Sequence, residues 1–167
     1  MTRLDRLLGY AAAHPNGRKI FRASEMVLRC LSDASYLSRP RAGSVAGGLS
    51  ILGDTNDDAT LNHPISAHST RIPVVCSFVA EAEYAGLFAA VRIATNERQI
   101  LHDMGHPQPP TPLYCDNEVA IGLATDTINL KLSKSLDMRF HWLRDRVRQG
   151  HFRLIFVPGL QNAADFF

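Results

Sequence analysis

The sequence predicts a mixed α/β fold: one five-stranded sheet, three antiparallel strands followed by parallel ones, flanked by helices. Three observations predict it. The N-terminal half carries short apolar runs separated by turn residues, as a strand meander does. The C-terminal half alternates short strand-like runs with helical stripes, as parallel strands joined by helices do. The chain of 167 residues, 46 % hydrophobic and 20 % charged, suits one globular domain able to bury a core.

Leu4, Leu7, Leu8 and Ala11 recur at helical spacing and predict a first helix over residues 2–12, broken by His14-Pro15-Asn16-Gly17. Residues 26–31 are an apolar run interrupted by Arg29, a strand expected to deliver Asp33 to its C-terminal end. Arg39-Pro40-Arg41-Ala42-Gly43 reads as a turn, and residues 44–52 as a second strand antiparallel to the first. After a polar loop at 54–58, a third strand is expected over 59–69, with Pro64 marking an edge, a bulge or a break. Residues 80–104 give the clearest helix. Tyr84, Leu87, Phe88, Val91, Ala94, Leu101 and Met104 form its apolar stripe, and Gly105 and Pro107 end it. Glu83 is placed in its first turn, where a carboxylate suits the helix dipole.

Past the linker at 106–112, Leu113-Tyr114-Cys115 is a short strand ending at Asp116, and Asn117 opens a short helix. Residues 135–149 predict another helix. Leu136, Phe140, Leu143 and Val147 lie on one face, and Asp137, His141, Arg144 and Arg148 on a polar one. Residues 152–157 alternate as a last strand. Pro158-Gly159 then turns the chain into residues 162–167, read as the first turns of a final short helix containing Asp165.

Composition narrows the classes of function. No apolar run approaches the ~20 residues of a membrane span, and the first residues, MTRLDRLLGY, lack a signal peptide's apolar stretch. Cys30, Cys76 and Cys115 are far apart and odd in number. They read as buried reduced thiols, and no Cys/His spacing suggests zinc. The charge is unevenly spread. Residues 1–29 carry six cationic against two acidic side chains, and residues 131–153, with Lys131 and Lys134, seven against two. Such stretches suit a polyanion partner or a solvated helix face.

Four carboxylates stand out: Asp33 in CLSDAS, Glu83 in AEAEYAGL, Asp116 in LYCDNEVAIGLA and Asp165 in PGLQNAADFF. Gathered by the fold, they would make a pocket able to hold two divalent ions, the apparatus for hydrolysing a phosphodiester.

These blocks resemble the ribonuclease H domain of copia-type retrotransposon polyproteins. LSDASYLSRPRAGSVAGGLSILG is similar to that family's first hairpin, ISAHSTRIPVVCSFVAEAEYAGL to its third strand and helix start, and LYCDNEVAIGLA to its strand ending in Cys-Asp-Asn. KSLDMRFHWLRDRVRQGHFRLIFVPGLQNAADFF is similar to its last helix, strand and terminal Ala-Asp-Phe. The resemblance implies a ribonuclease H-like fold over residues 23–167, with residues 1–22 a remnant of the connection to reverse transcriptase. It implies Asp33, Glu83, Asp116 and Asp165 as catalytic metal ligands for two Mg2+ ions, with Mn2+ able to substitute. Glu83 is preferred over Glu81, which is expected to be an exposed first-turn residue. The implied activity is metal-dependent cleavage of the RNA strand of RNA–DNA hybrids during reverse transcription, in a cytoplasmic virus-like particle and with no membrane partner. Ser35, Asn117, His141, Arg144 and Arg148 are candidates for nucleic-acid contact; local hydrogen bonds are the competing role for Ser35 and Asn117, and an ordinary surface position for His141. The alternatives are a domain of this fold that binds hybrid with little or no turnover, and another nuclease of the same fold, such as an integrase. Two departures stand out. No His occurs in the Pro158-Gly159-Leu160 loop, as in copia-type domains. Ser77-Phe78-Val79-Ala80 replaces the usual Ser-Ser-Thr before Glu81, removing a capping hydroxyl.

Overall fold

The computed structural model describes residues 2–56, 62–128 and 137–166. Its elements run α1 (Arg3–Ala13), β1 (Val27–Arg39), β2 (Gly43–Gly53), β3 (Ser66–Arg71), α2 (Val79–Asp103), β4 (Thr111–Cys115), α3 (Glu118–Ala124), α4 (Asp137–Arg148) and β5 (Phe152–Phe156). Two short 3-10 turns follow, Gly159–Gln161 and Ala163–Phe166. The sheet has five strands in the order β3-β2-β1-β4-β5. β1 is antiparallel to β2 and β2 to β3, whereas β1–β4 and β4–β5 are parallel. The mixed sheet expected from the sequence is the one observed.

The long helix α2 forms because its apolar residues recur on one stripe. Tyr84, Leu87, Val91 and Ala94 are buried there against Leu28 and Cys30 of β1 and Leu113 and Cys115 of β4. Ala120 and Leu123 of α3, Leu143 of α4 and Phe152 of β5 complete this core. The opposite face of the sheet is covered by less: Leu31, Leu49 and Ile51 pack around Ala164 of the second 3-10 turn, with Tyr114 at the edge. A chain tail of a few residues is thus fixed by one buried methyl group against three aliphatic side chains, a side chain's worth of burial.

Several expectations need correction. β1 does not end near Asp33. It continues to Arg39, because residues 33–35 keep pairing with β2, Asp33 opposite Gly47. The hairpin closes only at Arg41 and Ala42, whose φ of 61° and 53° supply the left-handed turn that matches strand twist. The third strand starts at Ser66, after Pro64, which has no N–H to give a ladder. The early part expected at 59–61 lies outside the described residues, as do Lys131, Lys134, Leu136 and the side chains of Asp137, Arg139 and Phe140. Met104, assigned to the apolar stripe, is exposed beyond the end of α2. The final helix is two 3-10 turns, because the Asn162 side chain accepts from the Ala164 N–H at 3.1 Å and interrupts the helical ladder.

Candidate active site

Asp33 lies in the middle of central strand β1 and is 9 % exposed. Asp116 follows the last residue of β4, directly beside β1. The two strands are parallel neighbours, so their carboxylates project at the same side of the sheet. Glu83 comes from α2, and its helix sits unusually close to β1. Gly86, one turn further on, makes this possible: a Cβ there would lie 3.1 Å from the Asp33 carbonyl oxygen. Glu83 is accordingly 5 % exposed, with its Oε2 buried and lacking a hydrogen-bond partner.

Asp165 arrives from the tail, and Asn162 positions it. The Asn162 amide donates to the Ser32 carbonyl at 3.0 Å, one residue before Asp33. Its backbone carbonyl accepts from the Asp165 N–H at 3.0 Å. Asn162 is 4 % exposed and joins the tail to the middle of β1 by side chain and main chain together. Gly159 plays a matching part on the other side, since a Cβ there would lie 3.1 Å from Asp116 Oδ2. Neither Asn162 nor Gly86 was singled out from the sequence, and Gly159 was read only as part of a turn. The Asn two positions before an Ala-Asp pair was the available signal for the first.

The four carboxylates therefore converge, and their electrostatics record it. Burial pushes Asp33 above the ordinary carboxylate range, and the charges of Asp116 and Asp165 add to the rise against a hydrogen bond from the Ala34 N–H. Burial, then the charges of Asp33 and Asp116, push Glu83 up to about 8. Buried like charges of this kind disfavour ionisation unless a cation arrives. Cys115 lies beneath the cluster, fully buried, with its Sγ and one carboxylate oxygen each from Glu83 and Asp116 all within 4.8 Å of one another.

Glu81 is corrected. It is 6 % exposed, and its Oε2 accepts from the Ser77 N–H at 2.6 Å. This bond ties the residue before the N-cap to the first turn of α2, while Phe78 at the N-cap makes no side-chain cap bond. Glu81, not Glu83, is the acid of the first helical turn.

The nucleic-acid candidates divide. Asn117 is the N-cap of α3, its Oδ1 accepting from the Ala120 N–H at 3.0 Å. Arg144 is turned inward. It pairs with Asp126, and its guanidinium donates to the carbonyls of Leu123 at 2.6 Å and Ile128 at 3.3 Å, tying α4 to the end of α3. Arg148 is exposed, 3.8 Å from Asp126, and His141 is exposed on the same helix. Ser35 is half-buried two residues beyond Asp33, its carbonyl accepting from the Ser38 hydroxyl at 3.2 Å.

No family model matches the chain. Among curated proteins, it is 28 % identical over 170 residues to the Retrovirus-related Pol polyprotein from transposon RE1 of Arabidopsis thaliana, covering 97 % of this chain and 11 % of that one. It is 27 % identical over 101 residues to the corresponding polyprotein from transposon TNT 1-94 of Nicotiana tabacum, covering 60 % of this chain and 8 % of that one. The chain thus spans about a tenth of the length of the polyproteins it matches. Among solved structures, LC11-RNase H1 isolated from compost superposes with a TM-score of 0.60 at 16 % identity, covering 84 % of this chain and 91 % of that one. The same protein in complex with RNA/DNA hybrid gives 0.57 at 15 % identity, over 83 % and 91 % of the two chains. The N-terminal RNase H domain of rv2228c from Mycobacterium tuberculosis gives 0.55 at 16 % identity, over 83 % and 89 %. The fold of this chain is the ribonuclease H fold, and its homologues in sequence are retrovirus-related Pol polyproteins of transposons.

Proposed function

We propose that this domain is a metal-dependent endonuclease that hydrolyses the RNA strand of RNA–DNA hybrids during retrotransposon reverse transcription. The observation that carries this reading is the convergence of Asp33, Glu83, Asp116 and Asp165 from β1, α2, the end of β4 and the tail, where burial and then the neighbouring charges push Asp33 and Glu83 up. The donor set fits hard divalent ions. It offers carboxylate oxygens, one of which, Glu83 Oε2, is buried with no hydrogen-bond partner among the described residues. Asp33, Glu83, Asp116 and Asp165 would hold two Mg2+ ions, or Mn2+ in their place, with Asp33 between its three companions. Bound there, the ions supply an activated water and charge stabilisation for the leaving oxygen.

The protein's own groups set the rest. β1 and β4 hold Asp33 and Asp116 on rigid neighbouring strands, and Asn162 holds the Asp165 segment against them. Hybrid rather than duplex DNA would be selected by groove shape and 2′-hydroxyl contacts along this face, with Ser35 and Asn117 nearest the acids. Arg148 and His141, exposed on α4, would meet phosphates. Arg144 would act by fixing α4 rather than by touching nucleic acid. The hybrid bound by the compost ribonuclease H1 supports the substrate class. Residues 1–22 would connect to reverse transcriptase in a longer polyprotein, consistent with the apolar side chains Leu4, Leu7, Leu8 and Tyr10 left exposed on α1. No helix among the described residues is long and apolar enough to cross a membrane.

A second reading has one observation in its favour. Asp165 is exposed on a single 3-10 turn, so the domain by itself would bind hybrid and turn over slowly. The Asp116→Asn variant tests the main reading. It should keep its fold and its affinity for hybrid and lose metal-dependent cutting; undiminished cutting would refute the site.

A further inference from the structure

The carboxylate cluster has one neighbour that hard-metal chemistry does not use, the thiol of Cys115. Its Sγ and the carboxylates of Glu83 and Asp116 form a three-donor group whose ligand atoms lie within 4.8 Å of one another. Donors around a tetrahedral zinc, with Zn–S about 2.3 Å and Zn–O about 2.0–2.2 Å, stand roughly 3.3–3.7 Å apart. A second feature points to a cation: Glu83, 5 % exposed and a member of this group, has a buried Oε2 with no hydrogen-bond partner among the described residues. Asp116 is half-buried and leaves a route from solvent for the ion and for a fourth, water ligand. One sulfur and two oxygens with an open position are a donor set for a soft or borderline ion, not for magnesium.

We propose that Glu83, Cys115 and Asp116 form a binding site for a thiophilic divalent ion of the zinc class, one that excludes a hard ion from the same two carboxylates. On binding, the Cys115 S–H bond breaks, its proton passes to solvent and Sγ bonds to the ion; no electron is transferred. The ion would sit deeper than a magnesium held only by carboxylates, against the buried end of β4. Among the described residues, no such three-donor group includes Cys30 or Cys76, the other buried thiols. The binding itself does not depend on the nuclease reading. Only its consequence does: zinc would hold that activity off by occupying two of its four acids.

Cadmium reports the site directly, because a cadmium–thiolate bond has an ultraviolet charge-transfer band. Metal-free protein titrated with Cd2+ should develop this band with one ion per chain. Excess Mg2+ should weaken the apparent affinity, and Zn2+ should bleach the band by displacement. Cys115→Ala should remove the band, and Glu83→Gln should weaken Cd2+ binding by no less than the roughly 10–100-fold that outer partners of a metal site cost. The Cys30→Ala and Cys76→Ala proteins, each made separately, should keep the band. Absence of the band in the natural sequence, its survival in Cys115→Ala, or its loss in either control variant that retains the native circular dichroism would overturn the proposal. If Cys115→Ala fails to fold, the Glu83→Gln and control arms still decide. Failure of the nuclease reading would leave the band untouched, and failure of this one would leave hybrid cleavage in Mg2+ untouched.

Discussion

At the scale of single residues, the account turns on Glu83. It is a carboxylate buried on a helix between strands that carry two more acids, and burial with those charges pushes it up to about 8. The sign of the consequence follows. A carboxyl whose folded value is raised favours the folded state when protonated. That stability is fully present below the ordinary carboxylate range and is lost as pH rises through the folded value. Asp33 is shifted the same way, so its contribution has the same sign. Metal-free protein should therefore melt at falling temperature between roughly pH 5 and pH 9, spanning the value of about 8 for Glu83. Saturating Mg2+ should flatten that fall, because the ion holds the carboxylates ionised. Parallel melting profiles in Mg2+ and in chelator would contradict it. Glu81 gives the complementary lesson. Two glutamates two positions apart were separable in sequence only by the apolar stripe after Glu83, and that stripe says nothing of what the other does. Its hydrogen bond from the Ser77 N–H, just before the helix, is visible only with the backbone in place.

At the scale of elements, two close approaches assemble the site. α2 lies near β1 because residue 86 is glycine, where a Cβ would stand a tight 3.1 Å from the Asp33 carbonyl. Gly86→Val should push the helix outward, costing about 1–3 kcal/mol of stability by overpacking and weakening Mg2+ binding along with it. Thermal melts with and without Mg2+ check this, and a variant of native stability and affinity would contradict it. The tail is held by Asn162. Asn162→Ala removes its bonds to the Ser32 carbonyl and the Ala164 N–H, so about 1–3 kcal/mol of local stability should go with it. Isothermal titration should then find Mg2+ binding weakened although no carboxylate has changed. Unaltered binding would mean that Asp165 needs no such anchor. The elements differed in how well the sequence revealed them. α2 was legible because its periodicity reflects burial on one face, and β5 from its apolar alternation, although only Phe152 of that strand is buried. The end of β1 was not, since residues 33–39 mix polar and apolar side chains and pair because the hairpin turn brings β2 opposite. The tail read as helix from its composition, and a single Asn side chain made it 3-10.

At the scale of the whole molecule, the sheet divides the labour. One face carries the helical core of α2, α3 and α4, which fixes the strands. The other face is covered by the tail around Ala164, leaving the carboxylates at its margin. The topology was readable because hairpins and strand–helix alternation admit few arrangements. Gathering of the four acids was an expectation from resemblance, and their convergence needed the non-local pairing of β1 with β4, which no local pattern encodes. The basic character of α4 was equally visible in sequence, yet Arg144 is bound to Asp126 and two carbonyls, so charge alone overstated the cationic surface offered to a polyanion.

The central claim is that these four carboxylates make a hybrid-specific, metal-dependent nuclease, and a substrate panel tests it most directly. Labelled RNA–DNA hybrid, single-stranded RNA and duplex DNA are incubated with the protein in Mg2+, in chelator, and with Asp116→Asn in place of the natural sequence. Cutting of the hybrid's RNA strand alone, only with Mg2+ and only by the natural sequence, is the predicted result. Hybrid bound but left intact in Mg2+, or cut equally well by Asp116→Asn, would contradict it.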